Sequence, residues 1–287
     1  MLMIVGSVMV LVCVFGGYMA MGGKLGALWQ PFELVIIGGA ALGAFVIANP
    51  MSVIKKAAGA MGDLMKGGEP YNKAHFLELL SLLYTVFKMA KSKGMLALEQ
   101  HVEKPDESTL WQKFPHFAGD HHVLTFLCDY LRLLTLGSDN PHEMESLIDD
   151  EIATHHEERN QVAGAINAMA DGMPALGIVA AVLGVIKTMA SISEPPEVLG
   201  RLIGGALVGT FLGVLLSYGF IAPMAASLKN RYEAEAKYYQ CIKAGLLAYM
   251  QGYAPAVATE FARKALLSTV RPTFYEVEEA VAALPPV

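Results

Sequence analysis

The sequence predicts an all-α membrane protein: four transmembrane helices, a helical cytoplasmic insertion between the second and third, and a helical cytoplasmic tail after the fourth. Three observations predict it. Of the 287 residues, 54% are hydrophobic and 17% charged, with a mean hydropathy of +0.43, where soluble domains carry about 25% charged residues. Residues 1–23, 34–54 and 202–228 contain no Asp, Glu, Lys or Arg. Elsewhere apolar residues recur at helical spacing, and no strand-length alternating run, internal repeat or low-complexity linker interrupts them. This distribution argues against a soluble enzyme. The net charge of −6 leaves no basic face to collect the phosphate contacts of nucleic acid.

A hydrocarbon core about 30 Å thick needs roughly 20 apolar helical residues, and 2–20, 34–54, 173–192 and 202–228 meet or approach that. The first stretch has neither a basic n-region nor a small-residue cleavage motif before Lys24, so it reads as a retained helix. Lys187 interrupts the third near one end, where a lysine reaches the headgroups. Basic residues set the orientation. Lys55, Lys56 and Lys66 follow the second span, and Lys229, Arg231, Lys237 and Lys243 the fourth, against Lys24, Lys187 and Arg201 on the other side. Both termini are therefore expected in the cytoplasm. The division is 1–54 for the first two spans, 55–171 for the cytoplasmic insertion, 172–228 for the last two spans and 229–287 for the tail.

In the insertion, Phe76, Leu79, Leu80, Leu83, Val86, Phe87 and Ala90 trace one helical face over 75–90, with Gly94 placed to stop it. Asn140-Pro141-x-Glu143 is a start signal, with Asn as the cap, Pro at the first helical position and Glu two residues beyond it. No breaker follows before Gly172-Met173-Pro174, so that helix is expected to run into the third span. Residues 230–249 likewise continue the fourth span until Gly252 and Pro255.

Gly205, Gly209, Gly213 and Ser217 form an i, i+4 ladder on the fourth span, and Gly177, Ala180, Ala181 and Gly184 add small residues to the third. In lipid such stripes let helix backbones approach closely. The ladder reads either as packing of these two helices or as a surface for other chains, and two small-residue faces leave room for both. No ionisable residue is expected at mid-membrane depth, where a transporter or proton channel usually has one. All eight histidines lie in the insertion, while Glu33 and Asp171 sit at span boundaries. The polar groups inside the spans are then Thr210, Ser217, Tyr218 and Thr188, and any ion carrier has to come from another chain. Pro174 and Pro223 bracket the hairpin of the last two spans, and each removes a backbone donor and kinks its helix. They read as hinges or as ordinary membrane prolines. His155-His156-Glu157-Glu158 is rich in ligand types, but adjacent residues diverge by about 100° on a helix and no HExxH is present, so a solvated charged face is expected. Cys13, Cys128 and Cys241 form no motif and read as packing residues. No GxxxxGK[ST] loop or other catalytic motif appears, and neither a cofactor nor a metal is expected.

The runs GGKLGALWQPFELVIIGGA (22–40), MAKSKGMLALEQHVEKP (89–105), CDYLRLLTLG (128–137), IDDEIATHHEE (148–158), GMPALGIVAAVLGVIKTM (172–189), LVGTFLGVLLSYGFIAPMA (207–225) and GYAPAVATEFARK (252–264) together resemble flagellar stator subunits of the MotA type, in the MotA/TolQ/ExbB family. The resemblance implies an inner-membrane subunit that couples proton flow to torque. It implies a homo-oligomeric ring of five around a MotB-like, single-span, peptidoglycan-anchored partner whose aspartate carries the ion, and cytoplasmic contact with the rotor protein FliG. On this resemblance the two functional prolines are Pro174 and Pro223, Thr210 is the polar group nearest the coupling step, and the rotor-facing pair is Lys93, with Lys91 as the alternative, and Glu99. Sodium-driven relatives carry a threonine where this chain has Ala181; without that hydroxyl a hard cation loses an oxygen ligand, which favours protons. Two other readings stand beside it: a TolQ- or ExbB-like energising subunit, whose relatives have three spans, and a membrane scaffold that conducts nothing.

Overall fold

In lipid every backbone N–H has to find its acceptor within the protein, and a long apolar run does so by closing into a helix. The computed structural model describes residues 2–66 and 71–284, and its regular structure is helical, with no strand among them. In chain order the helices are α1 (Leu2–Ala20), α2 (Leu25–Leu28), α3 (Pro31–Ala48), α4 (Met51–Lys66), α5 (Lys73–Lys93), α6 (Leu96–Glu103), α7 (Pro115–Ala118), α8 (His121–Thr135), α9 (Pro141–Met189), α10 (Pro196–Leu216), α11 (Ala222–Met250), α12 (Pro255–Lys264) and α13 (Phe274–Ala282). Short 3₁₀ turns lie at Pro105–Glu107 and Trp111–Lys113, and a π turn at Ser217–Ile221 joins α10 to α11.

Four stretches are long and apolar enough to cross a membrane: Leu2–Ala20, Leu25–Ala48, and segments within Pro141–Met189 and Pro196–Met250. Four were expected. The second begins earlier than expected because α2 and α3 together sustain the apolar run, with Pro31 opening α3 and Glu33 in its first turn, where a carboxylate suits the positive helix end. Glu33 therefore lies inside the candidate span and not at its boundary, which corrects the reading above.

The chain folds as two compact units, Met1–Gly68 with Glu158–Asn230 and Glu69–Glu157 with Arg231–Val287. In the first, Ile37 and Ala41 of α3, Met173 and Ala180 of α9 and Val208 and Leu212 of α10 make a small core. Its size follows from the closeness of α9 and α10. A Cβ added at Gly177 would lie 2.8 Å from the Gly209 carbonyl oxygen, and one at Gly213 would lie 2.8 Å from the Met173 carbonyl oxygen. Backbone touches backbone here, and a glycine is required on each side.

The second unit is built around α5. Asn72 caps it: its Oδ1 accepts from the Ala74 and His75 amides, and His75 Nδ1 accepts from the Asn72 amide at 3.1 Å, closing a capping box with histidine in the usual glutamate place. The helix ends at Lys93 before Gly94, whose φ of +82° only glycine adopts readily. Phe76, Leu79, Leu80, Leu83, Val86 and Phe87, the face read from the sequence, are buried in one cluster with α8, α11 and α12 residues such as Leu127, Ile242 and Ala262. The start of α9 is also as expected, with Asn140 Oδ1 accepting from the His142 amide and Asn140 Nδ2 donating to Glu143. From there α9 runs 49 residues through Pro174. The histidine pair departs from expectation: His155 and His156 are half-buried, with His155 Nε2 3.6 Å from Glu235, while Glu157 and Glu158 are exposed. The buried Cys128 thiol is pushed up to about 12 by burial, consistent with a packing role.

Phe87 is fully buried and stacks on Tyr249 with ring centroids 4.9 Å apart. Replacing it with Ala leaves a cavity and a bare tyrosine face, and should destabilise the second unit by about 3–5 kcal/mol; a thermal melt of the purified protein measures this. Gly209→Leu should be worse for accumulation, because a Cβ there already meets Glu33 Oε2 at 2.8 Å and the Ala181 amide nitrogen at 3.1 Å. The expected result is loss of the chain from the membrane fraction, seen by immunoblot, with normal amounts excluding this packing.

Candidate functional site

The α9–α10 seam holds most of the residues that the sequence nominated. Pro174 lies within α9, and its ring nitrogen carries no hydrogen, so the carbonyl of Ala170, four residues earlier, loses its helical donor. That carbonyl accepts instead from Ser217 Oγ at 2.7 Å, and both residues are buried. One turn further along α9, Gly177 meets the backbone of Gly209, Thr210 and Gly213, and the next turn places Ala181 against Gly209. Pro174, Ala181, Thr210, Gly209, Gly213 and Ser217 thus belong to one seam. Gly205 faces the Gln30 side chain, with a Cβ there 3.0 Å from Gln30 Nε2. Every rung of the small-residue ladder is met within the chain, so the ladder serves packing of these helices. Apolar surface is left over on α1, none of whose residues is buried, on α3 at Phe32, Val35 and Ile47, on α9 at Ile178, Val182 and Ile186, and on α10 at Leu207 and Val214.

Pro223 lies just beyond the π turn. The Ala222 amide donates to the Ser217 carbonyl, five residues back, so the helix widens by one residue immediately before the proline. Pro223 is exposed while Pro174 is half-buried. Sequence reasoning placed a kink here and missed its form; an i→i+5 register has no residue signature beyond the nearby proline.

Glu33 was also missed. Its Oε2 is buried, finds no hydrogen-bond partner among the described residues, and lies 2.8 Å from the Cβ position of Gly209. Oε1 lies 3.7 Å from that of Gly184, and Lys187 is the cation whose field reaches the carboxylate. The available signal was the pair of glycines 184 and 209, whose missing side chains leave room for the Glu33 carboxylate.

The other candidates belong to the second unit. Lys91 and Lys93 are exposed in the last turn of α5, where cations suit the negative helix end. Glu99 is exposed on α6. Lys93 and Glu99 are both helical, separated by the Gly94 turn, because Leu98 and Val102 bury an apolar face for a further helix. Lys91 lines a cavity of about 310 Å³ with Asp139 and Tyr249. The anchor of α6 was not visible in the sequence: His101 Nδ1 bonds Ser108 Oγ at 2.9 Å, Trp111 Nε1 donates to the His101 carbonyl at 2.9 Å, and Arg132 bridges Glu103 and Asp129. Burial, with Lys113 adding to it, holds the His101 pKa below the usual histidine range, which favours the neutral ring against Ser108. Glu99 therefore projects from a helix pinned from beneath.

Residues 4–94 match the family described as Motility protein A N-terminal, and residues 121–241 match the MotA/TolQ/ExbB proton channel family. Motility protein A of Salmonella typhimurium and that of Escherichia coli are each 45% identical to this chain over 284 residues, covering 99% of it and 96% of the relative. The solved structure of C. jejuni MotAB aligns with a TM-score of 0.77 at 19% identity, over 93% of this chain and 95% of that one, and shares the fold. By its full-length similarity and its two matched domains, the chain belongs to the motility protein A group of the MotA/TolQ/ExbB proton channel family.

Proposed function

We propose that this chain is the ring-forming stator subunit of a flagellar motor, which passes protons with a MotB-like partner and turns their flow into torque on a FliG-type rotor protein. The observation that carries the reading is the chemistry of the seam. From Pro174 to Ala181 on α9 and from Gly209 to Ser217 on α10 the side chains are aliphatic, aromatic, small or hydroxylic, with no titratable group. Glu33 reaches the seam from α3 beside Gly209, but α9 and α10 offer no carboxylate of their own along these turns, and carriage of the proton is assigned to the partner's single-span carboxylate. The exposed apolar surfaces of α1 and α3 favour a homo-oligomer, proposed as five copies, in the inner membrane with both termini in the cytoplasm. Four apolar helices count against a TolQ- or ExbB-like subunit with three. Protons are favoured over sodium because Ala181 offers no oxygen to a hard cation. Co-expression with a MotB-like partner lacking its periplasmic plug should make cells leak protons, read as a fall in cytoplasmic pH; a tight membrane at normal expression would sink the proposal.

Torque transfer is assigned to the exposed charges of α5 and α6. An exposed pair contributes about 0–1 kcal/mol, so single neutralisations of Lys93 or Glu99 should leave most swimming intact, with Lys91 as reserve. The double reversal Lys93→Glu with Glu99→Lys adds repulsion at both ends of the contact and should stop swimming at normal protein levels. Wild-type swimming speed would leave these residues as solvated surface.

Coupling is assigned to Pro174 and Pro223. Each breaks the backbone ladder of its helix, so a bias of about 1–3 kcal/mol, within the range of measured allosteric couplings, is enough to shift which kinked form is populated. Pro174→Ala or Pro223→Ala should assemble with the partner in pull-downs and yet rotate slowly or not at all in tethered-cell assays. Rotation at full speed in the double variant would return both to ordinary packing.

A further inference from the structure

We propose that Ser217 is a positioning residue that ties the kink at Pro174 to the π turn leading into Pro223. The bond is unusual for its residue type. A serine or threonine in a helix commonly turns its hydroxyl back onto its own i−4 carbonyl, as Ser81 does to Leu77, Thr85 to Ser81 and Thr188 to Gly184. Ser217 instead leaves its own helix and donates across to Ala170 O at 2.7 Å. Ala170 O is the carbonyl that Pro174 deprives of a donor, and Ala170 and Ser217 are both fully buried. In lipid a bare carbonyl at such a place has no water to turn to, so the serine completes the proline-broken helix from outside.

The same residue begins the π turn. Its carbonyl accepts the Ala222 amide in the five-residue register that immediately precedes Pro223. One residue therefore holds, by its side chain, the gap made by one proline, and, by its backbone, the widened turn before the other. Any change in the kink of α9 that moves Ala170 has to pull Ser217 Oγ or break the bond. Gly213, one turn earlier on the same face, leaves no slack, since its Cα already sits against Gly177. The two kinks are thus mechanically one device, with Ser217 as its pin. The functional half of this inference rests on the assignment of the prolines to coupling; the bond itself does not.

The test uses the detergent-purified complex with the MotB-like partner and the motor in cells. In Pro174→Ala an amide again faces Ala170 O, so the Ser217 hydroxyl becomes redundant. Ser217→Ala should then lower the melting temperature of the otherwise wild-type complex and leave that of the Pro174→Ala complex unchanged. Equal shifts in both backgrounds would overturn the bond. Ser217→Thr and Ser217→Val have nearly the same volume and differ in the hydroxyl, so the motor should keep more stall torque with Thr than with Val at equal expression. Equal torque would overturn the positioning role even where the melting cycle supports the bond. Full-speed rotation of Pro174→Ala would instead remove the coupling role of the proline, a result that the melting cycle does not depend on.

Discussion

The contact of α9 with α10 at backbone distance is the constraint from which the rest of the membrane unit follows. Lipid tails are as apolar as leucine, so two helices in a bilayer gain little from burying large side chains and more from close van der Waals approach. Gly177 against Gly209 and Gly213 provides that approach. It also fixes who the neighbours are: Ala181 lies against Gly209, Thr210 against Gly177, and Ser217 comes within reach of Ala170. With no side-chain cushion between the backbones, neither helix tilts or slides without the other. The same economy of volume opens the hole that Glu33 fills from α3.

The two prolines show that a broken helical ladder has two remedies. At Pro174 the deprived carbonyl borrows a hydroxyl from the neighbouring helix, and the helix stays continuous for 49 residues. Before Pro223 the helix widens into a π turn and carries on as α11. The first remedy depends on a neighbour and so reports its position. The second is local and can change without one. In the second unit the requirement is the reverse, a fixed platform, and it is met by two buried polar contacts, His101 on Ser108 and the Trp111 indole on the His101 carbonyl, with Arg132 across two carboxylates at the surface.

The sequence made legible whatever follows from composition, periodicity and punctuation. The four apolar runs, the buried face of α5, the stop at Gly94 and the start at Asn140 all rest on rules that act within a few residues, and the structure has all of them, with the second run beginning earlier. The misses are all long-range. Glu33 looked peripheral because its surroundings depend on glycines 184 and 209, which belong to other helices. α6 was not read from the sequence because its short apolar face acquires meaning only against α8 and the Ser108–Trp111 turn. His155 looked solvated because its neighbour Glu235 lies 80 positions away along the chain. The ladder on α10 announced close packing correctly, but a stripe of small residues does not name its partner, and only the geometry chose α9.

In the proposed mechanism the character of the seam fits a carrier that changes charge. A partner carboxylate is an acceptor when ionised and gains a donor when protonated. A titratable residue of this chain facing it would compete for the same proton, and its own pKa would shift with every transfer. A hydroxyl does neither. Thr210 is able to donate to the anion and accept from the acid by rotating one bond, and the Ala181 side chain takes no part in either exchange. The protonation state of the carrier is thereby felt as a choice of hydrogen-bond partner, beside two helices whose backbones touch. Such a choice is worth about 1 kcal/mol for neutral groups and up to about 3 for charged ones, which is the scale on which a kinked helix pair changes its preference.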